Sequence, residues 1–245
     1  MQMFYGNYDA KKKTSTVTFP KTEPVRIAGE PMIVRGLFHT LSGDPAAPNF
    51  VLLTYAVPAS DERYYCHACA PTIGMAVFSQ KGAGWTMTAS NGAVTDAGGF
   101  GEPPKDVGLV EIGINHQAVR IIEVDEGGET TGVLLILVPW NGTVNLALER
   151  IVADDDAGMC GTPDDLPCYA NHRTVAFLRS EKTEYFDLEL SLSGTDLSEG
   201  KHSNHARVVL GNEELRLENG KYVQISRQGD LTYVDRVVAG REGLK

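Results

Sequence analysis

The chain has no long apolar run, little basic charge, few cysteines and almost no helical periodicity. Its longest apolar stretch, Gly132 to Trp140, is far short of the roughly 20 residues that cross a bilayer as a helix, so no membrane span of that kind is expected. It reads as a buried strand. Lys and Arg number 22 against 32 Asp and Glu, a formal net charge of -10. Nucleic acid and anionic membrane surfaces repel such a chain, which leaves a basic protein as the favoured partner. No Gly-x-Ser-x-Gly elbow, Walker loop or His-Glu-x-x-His occurs, so those hydrolase, nucleotide-binding and metalloprotease signatures are excluded. The opening Met-Gln-Met-Phe-Tyr lacks a basic segment followed by an apolar one. A mature form without its signal peptide is the expectation.

What the chain has is strand signal from end to end. With 245 residues and 42% hydrophobic content, it can fill a sizeable core. Short β-branched and aromatic runs recur between Gly, Pro, Asn and Asp: Thr14–Phe19, Met32–Phe38, Phe50–Tyr55, Gly74–Phe78, Gly84–Thr88, Leu109–Gly113, Ala118–Val124, Val133–Val138 and Val144–Val152. They continue through Thr174–Leu178, Tyr185–Leu190, Arg207–Leu210, Glu214–Leu217, Tyr222–Ile225 and Leu231–Val234. Phe186, Leu188, Leu190 and Leu192 alternate with Asp187, Glu189 and Ser191, so one face of that strand is buried and the other wet. Asn219-Gly220 is a two-residue hairpin signal, because both central positions of a type I′ turn need positive φ. The expected class is all-β, with antiparallel sheets packed as a sandwich or as two β-rich lobes, 1–128 and 129–245. Ser90–Asp106 and Ala153–Arg173 read as long loops, which are uncommon and often functional.

The four cysteines fall in two close pairs, Cys66/Cys69 and Cys160/Cys168. An even count suits an oxidising compartment. A redox dithiol would need a helix N-terminus in a βαβ setting, which the strand pattern does not offer. The seven residues between Cys160 and Cys168 are longer than zinc half-site spacing. Structural disulfides are therefore expected, with no cofactor and no metal. Three connectivities are open, and the two local pairs are favoured. Asp154-Asp155-Asp156 with Asp164-Asp165 lacks the alternating order of a calcium loop and reads as a solvated acidic surface. His202 and His205 are spaced for a polar turn, and Trp85 and Trp140 are expected in the core.

Two stretches resemble a group of bacterial periplasmic proteins. The first runs from Tyr65-Cys-His-Ala-Cys-Ala-Pro-Thr-Ile-Gly-Met-Ala-Val-Phe78 through Gly84-Trp85 and Gly98-Gly-Phe-Gly-Glu-Pro103 to Val110-Glu-Ile-Gly113. The second runs from Asp156-Ala-Gly-Met-Cys160 through Cys168, Tyr185-Phe-Asp-Leu188 and Ser193-Gly-Thr195 to Asn219-Gly-Lys-Tyr222. The resemblance implies a β-rich fold and a periplasmic or secreted location, and carries over no catalytic residue. Acidic charge, long loops and no catalytic signature together point to a non-enzymatic binding protein. An inhibitor or immunity protein acting on another macromolecule is one form of it, with Asp155, Asp164 and Asp165 as the first contact residues. The alternatives are a metal- or thiol-dependent enzyme centred on Cys66/Cys69, and a small-ligand or glycan receptor that stacks on Trp85 or Trp140. Oligomeric state is not legible in the sequence.

Overall fold

Period-two alternation in short apolar runs makes strands, and the Gly and Asn between them make hairpins. The computed structural model describes residues 1–20, 29–43, 48–60, 66, 69–126, 130–156, 160, 168–180, 183–197 and 206–229. After one turn of helix, α1 (Gln2–Tyr5), come β1 (Tyr8–Asp9), β2 (Thr14–Thr18), β3 (Pro31–Ser42), β4 (Asn49–Pro58), β5 (Thr72–Lys81) and β6 (Gly84–Asp96). These six strands form one antiparallel sheet in sequence order. Next come β7 (Asp106–Gly113), β8 (His116–Glu126), β9 (Thr130–Trp140) and β10 (Thr143–Asp155). They are followed by β11 (Ala170–Leu178), β12 (Asp187–Leu197), β13 (Ala206–Glu218) and β14 (Lys221–Gly229), and these eight form a second sheet, again in sequence order. The chain is all-β with antiparallel sheets, as expected.

Two compact units are present, and neither is continuous in sequence. One comprises Met1–Glu111, Asn115–Ile121 and Ile136–Ala147. It contains the whole first sheet, whose two faces are both apolar. Val51, Leu53, Ile73, Met75 and Val77 are buried on one face. Leu52, Ala56, Ala76 and Phe78 are buried on the other, where α1 lies. β6 is tied to the β9–β10 turn by Ser90 N–H to Gly142 O (3.3 Å) and Asn91 Nδ2 to Val144 O (3.1 Å).

The other unit comprises Ile112–Ile114, Ile122–Leu135 and Leu148–Lys245. Along β12 the alternation holds residue by residue, with Leu188, Leu190 and Leu192 buried and Glu189 and Ser191 half-exposed. The fully apolar run of β9 is buried from Gly132 to Val138, as its composition required. Asn219 and Gly220 have φ of 51° and 76°, the turn their dipeptide predicted between β13 and β14. Asn141-Gly142, which belongs to the first unit, closes the β9–β10 hairpin in the same way, with φ of 49° and 83°.

Several expectations are corrected. Arg207–Leu210 and Glu214–Leu217 are one strand, because Gly211 and Asn212 keep the ladder with Leu192 and Ser191. Ser90–Asp96 belong to β6 and pair with β5 as far as Thr72. The expected loop at Ala153–Arg173 is shorter: Ala153–Asp155 end β10 and Ala170–Arg173 begin β11, paired with one another through Asp154↔Asn171. The polar composition of these stretches suggested loops, yet main-chain pairing is indifferent to side-chain polarity. Trp85 is 38% exposed on the surface of β6, not in the core. The expected strand Leu231–Val234 and the turn at His202–His205 lie outside the described residues.

Candidate functional site

Both local cysteine pairs are disulfides, with Cα separations of 5.0 Å for Cys66–Cys69 and 5.2 Å for Cys160–Cys168. Each lies within the range that a bridge requires. Among the described residues no cysteine is free. The sulfurs are therefore not thiolates that could bind a metal or attack a substrate. Asp156, Cys160 and Cys168 bring three ligand-type atoms within 4.8 Å of one another, but two are the bridged sulfurs, which leaves a single carboxylate.

The first disulfide anchors a knot. Cys69 N–H donates to Cys66 O (2.9 Å), closing the small ring on itself. A turn from another part of the chain then docks on that ring, with Phe100 N–H donating to Cys66 O (3.2 Å) and Gly101 N–H to Cys69 O (2.7 Å). The turn is closed by reciprocal bonds between Gly99 and Glu102. Gly98 has φ of 103°, and a Cβ there would overlap Glu102 O, so only glycine lets the strand turn so tightly. The cysteine stretch and the Gly98–Pro103 stretch, about thirty residues apart in sequence, thus meet through main-chain hydrogen bonds. Phe100 stands at the apex with φ of 55° and is 50% exposed. A left-handed aromatic residue is strained, and the surrounding bonds are what hold it.

The second disulfide closes the connection between β10 and β11. At its base Tyr169 N–H donates to Asp156 Oδ1 (2.7 Å), and Asp156 N–H donates to Tyr169 O (3.3 Å). Of the three contact residues read from the sequence, Asp155 is the last residue of β10, paired with Ala170 and half-buried. Asp164 and Asp165 lie outside the described residues.

Two groupings escaped the sequence reading. Arg173 Nη1 lies 2.7 Å from Glu213 Oε1 with both side chains almost wholly buried, and Arg150 Nε is 3.6 Å from the same oxygen. The signal was present, because Arg173 pairs with Leu192 and Glu213 pairs with Leu190, both on the buried face of β12. A charge at core parity marks a partner elsewhere, but not which one. His172 Nε2 and Ser193 Oγ are 3.2 Å apart as direct cross-strand partners on an exposed face. Bulk water reaches both groups, so the pair resembles a surface hydrogen bond more than an activated nucleophile. No family model, curated protein or solved structure matches the chain.

Proposed function

We propose that this is an exported, non-enzymatic binding protein whose partner is another protein, most favourably a basic one, as an inhibitor or immunity protein would require. The observation that carries the reading is Phe100, an exposed aromatic ring held in strained backbone by a disulfide-anchored turn. An anchor residue already fixed in place loses little conformational freedom on binding, which is how rigid aromatic side chains come to dominate interfaces. The net charge of -10 supplies long-range attraction to a basic surface, and the tied acidic connection between β10 and β11 carries part of it. The two disulfides support an oxidising compartment.

The test is capture of partners from a periplasmic extract with wild-type chain and with Phe100→Gly. Glycine relieves the left-handed strain, so stability should stay within about 1 kcal/mol of wild type while affinity falls at least about tenfold. Asp155→Asn, Asp164→Asn and Asp165→Asn together should slow association and flatten its salt dependence without altering folding. Recovery of no protein at low salt, or undiminished binding by Phe100→Gly, sinks the reading.

A further inference from the structure

Tyr5 is seated in a socket shaped for a phenol. Its ring lies against two glycines on adjacent strands, Gly74 of β5 and Gly92 of β6. A Cβ on Gly74 would overlap Tyr5 Oη and stand 2.6 Å from Gly92 O, and one on Gly92 would sit 3.1 Å from Tyr5 Cε1. The hydroxyl lies 2.8 Å from Thr54 Oγ1 and 3.3 Å from Gly92 O. Thr54 gives its own single proton to Gly74 O (3.1 Å), which turns its lone pairs toward the phenol. Beside Tyr5, Met1 and Phe4 rest on Leu52, Ala76 and Phe78.

The apolar surface is wider than the segment that covers it. Phe50 packs on the same cluster and meets the edge of Trp85 at 6.0 Å between centroids. Its register partner Leu41 is 59% exposed, and Met87, partner of Phe78, is 38% exposed. The cover is also short. α1 is a single turn with no side-chain cap, and the chain leaves it through Gly6 and Asn7, both at positive φ, 66° and 40°. One isolated turn has no helical stability of its own.

We infer that this strip of the first sheet is a docking groove for a tyrosine-bearing apolar segment of a partner protein, and that residues 1–5 are its built-in competitor. The chain's own segment states the chemistry that the groove accepts: a phenol in the glycine socket, with Phe4 and Met1 on the aliphatic floor. A partner segment reaching from the socket to Trp85 buries apolar surface that residues 1–5 leave open. That extra burial offsets the high effective concentration of the tethered competitor. The groove does not depend on the Phe100 knot, and its test uses a synthetic probe, so either reading can fail alone.

Fluorescent peptides Met-Gln-Met-Phe-Tyr-Gly and Met-Gln-Met-Phe-Phe-Gly are titrated with the full chain as wild type and as Tyr5→Ala. The variant should bind the tyrosine peptide at least about tenfold tighter than wild type does, because its internal competitor is weakened. The phenylalanine peptide should bind about fivefold more weakly, the loss of one hydrogen bond. Adding Thr54→Val to Tyr5→Ala, which keeps the shape of the socket and removes the hydroxyl that meets the phenol, should erase the preference for the tyrosine peptide. Equal affinity of Tyr5→Ala for both peptides, no binding by folded Tyr5→Ala, or displacement of the probe by a soluble oligosaccharide but not by unlabelled peptide would overturn the inference. Should Tyr5→Ala fail to fold, amide exchange in the wild type decides. The amides of Phe4, Tyr5 and Gly6, hydrogen-bonded within α1, should exchange at least about 100-fold faster than the β4–β5 ladder. Exchange of both sets at one rate rules out a displaceable cover.

Discussion

At the scale of single residues, the buried Arg173–Glu213 pair is the most demanding feature of the second unit. Two charges removed from water are tolerated only while each satisfies the other, and Arg150 adds a second positive group on the same oxygen. Glu213→Leu alone should therefore destabilise by about 3–5 kcal/mol, since it takes the carboxylate away from a buried guanidinium beside Leu192. Combining it with Arg173→Met should recover most of that loss, leaving Arg150, part-exposed, to turn toward solvent. Urea denaturation of both single variants and the double variant checks this, and additive losses would show that the two side chains do not act as a pair. Sequence alone displayed half of this arrangement. Parity marks Arg173 and Glu213 as core-facing, but forty residues and an intervening strand separate them, so nothing local names the partner.

At the scale of elements, what was legible follows from how strongly each signal is local. Hairpins set by Asn-Gly, strands set by alternation and bridges set by close cysteines were readable because a few adjacent residues decide each of them. Strand ends were not readable. Asn91 donates a side-chain hydrogen bond to Val144 O and Gly92 lies against the ring of Tyr5, both contacts supplied from far along the chain. The Phe100 knot was half legible: glycines foretold a turn, and nothing foretold that it would dock on Cys66 and Cys69. Both bridges close short loops, of sequence separation 3 and 8, so the chain-entropy contribution of each is small. Replacing either pair by alanine should lower stability by about 2–3 kcal/mol without unfolding the protein at room temperature. A larger loss from Cys66→Ala with Cys69→Ala, measured by chemical denaturation, would mean that the docked turn collapses with its anchor.

For the molecule as a whole, alkaline pH is the condition that strains it most specifically. Burial holds the Tyr5 phenol far above its ordinary range, and burial with the negative charge of Asp187 does the same to Tyr222. A raised phenol binds its proton more tightly folded than unfolded. Its stabilising contribution is thus complete below the unfolded value near 10 and is lost as pH climbs from there toward the folded one. Each should withdraw about 1.4 kcal/mol per pH unit over that window. Tyr5→Phe and Tyr222→Phe should each flatten the decline, as measured by urea midpoints between about pH 9 and about pH 12. A slope unchanged in both variants would place the loss in other groups. The order of the strands has a further consequence. In both sheets every neighbour in space is the neighbour in sequence, so each ladder can zip from a hairpin already formed, and none of these pairings waits for a distant strand to arrive. Low contact order of this kind lets the strands emerging first during synthesis pair at once, shortening the interval in which a bare edge is open to another chain.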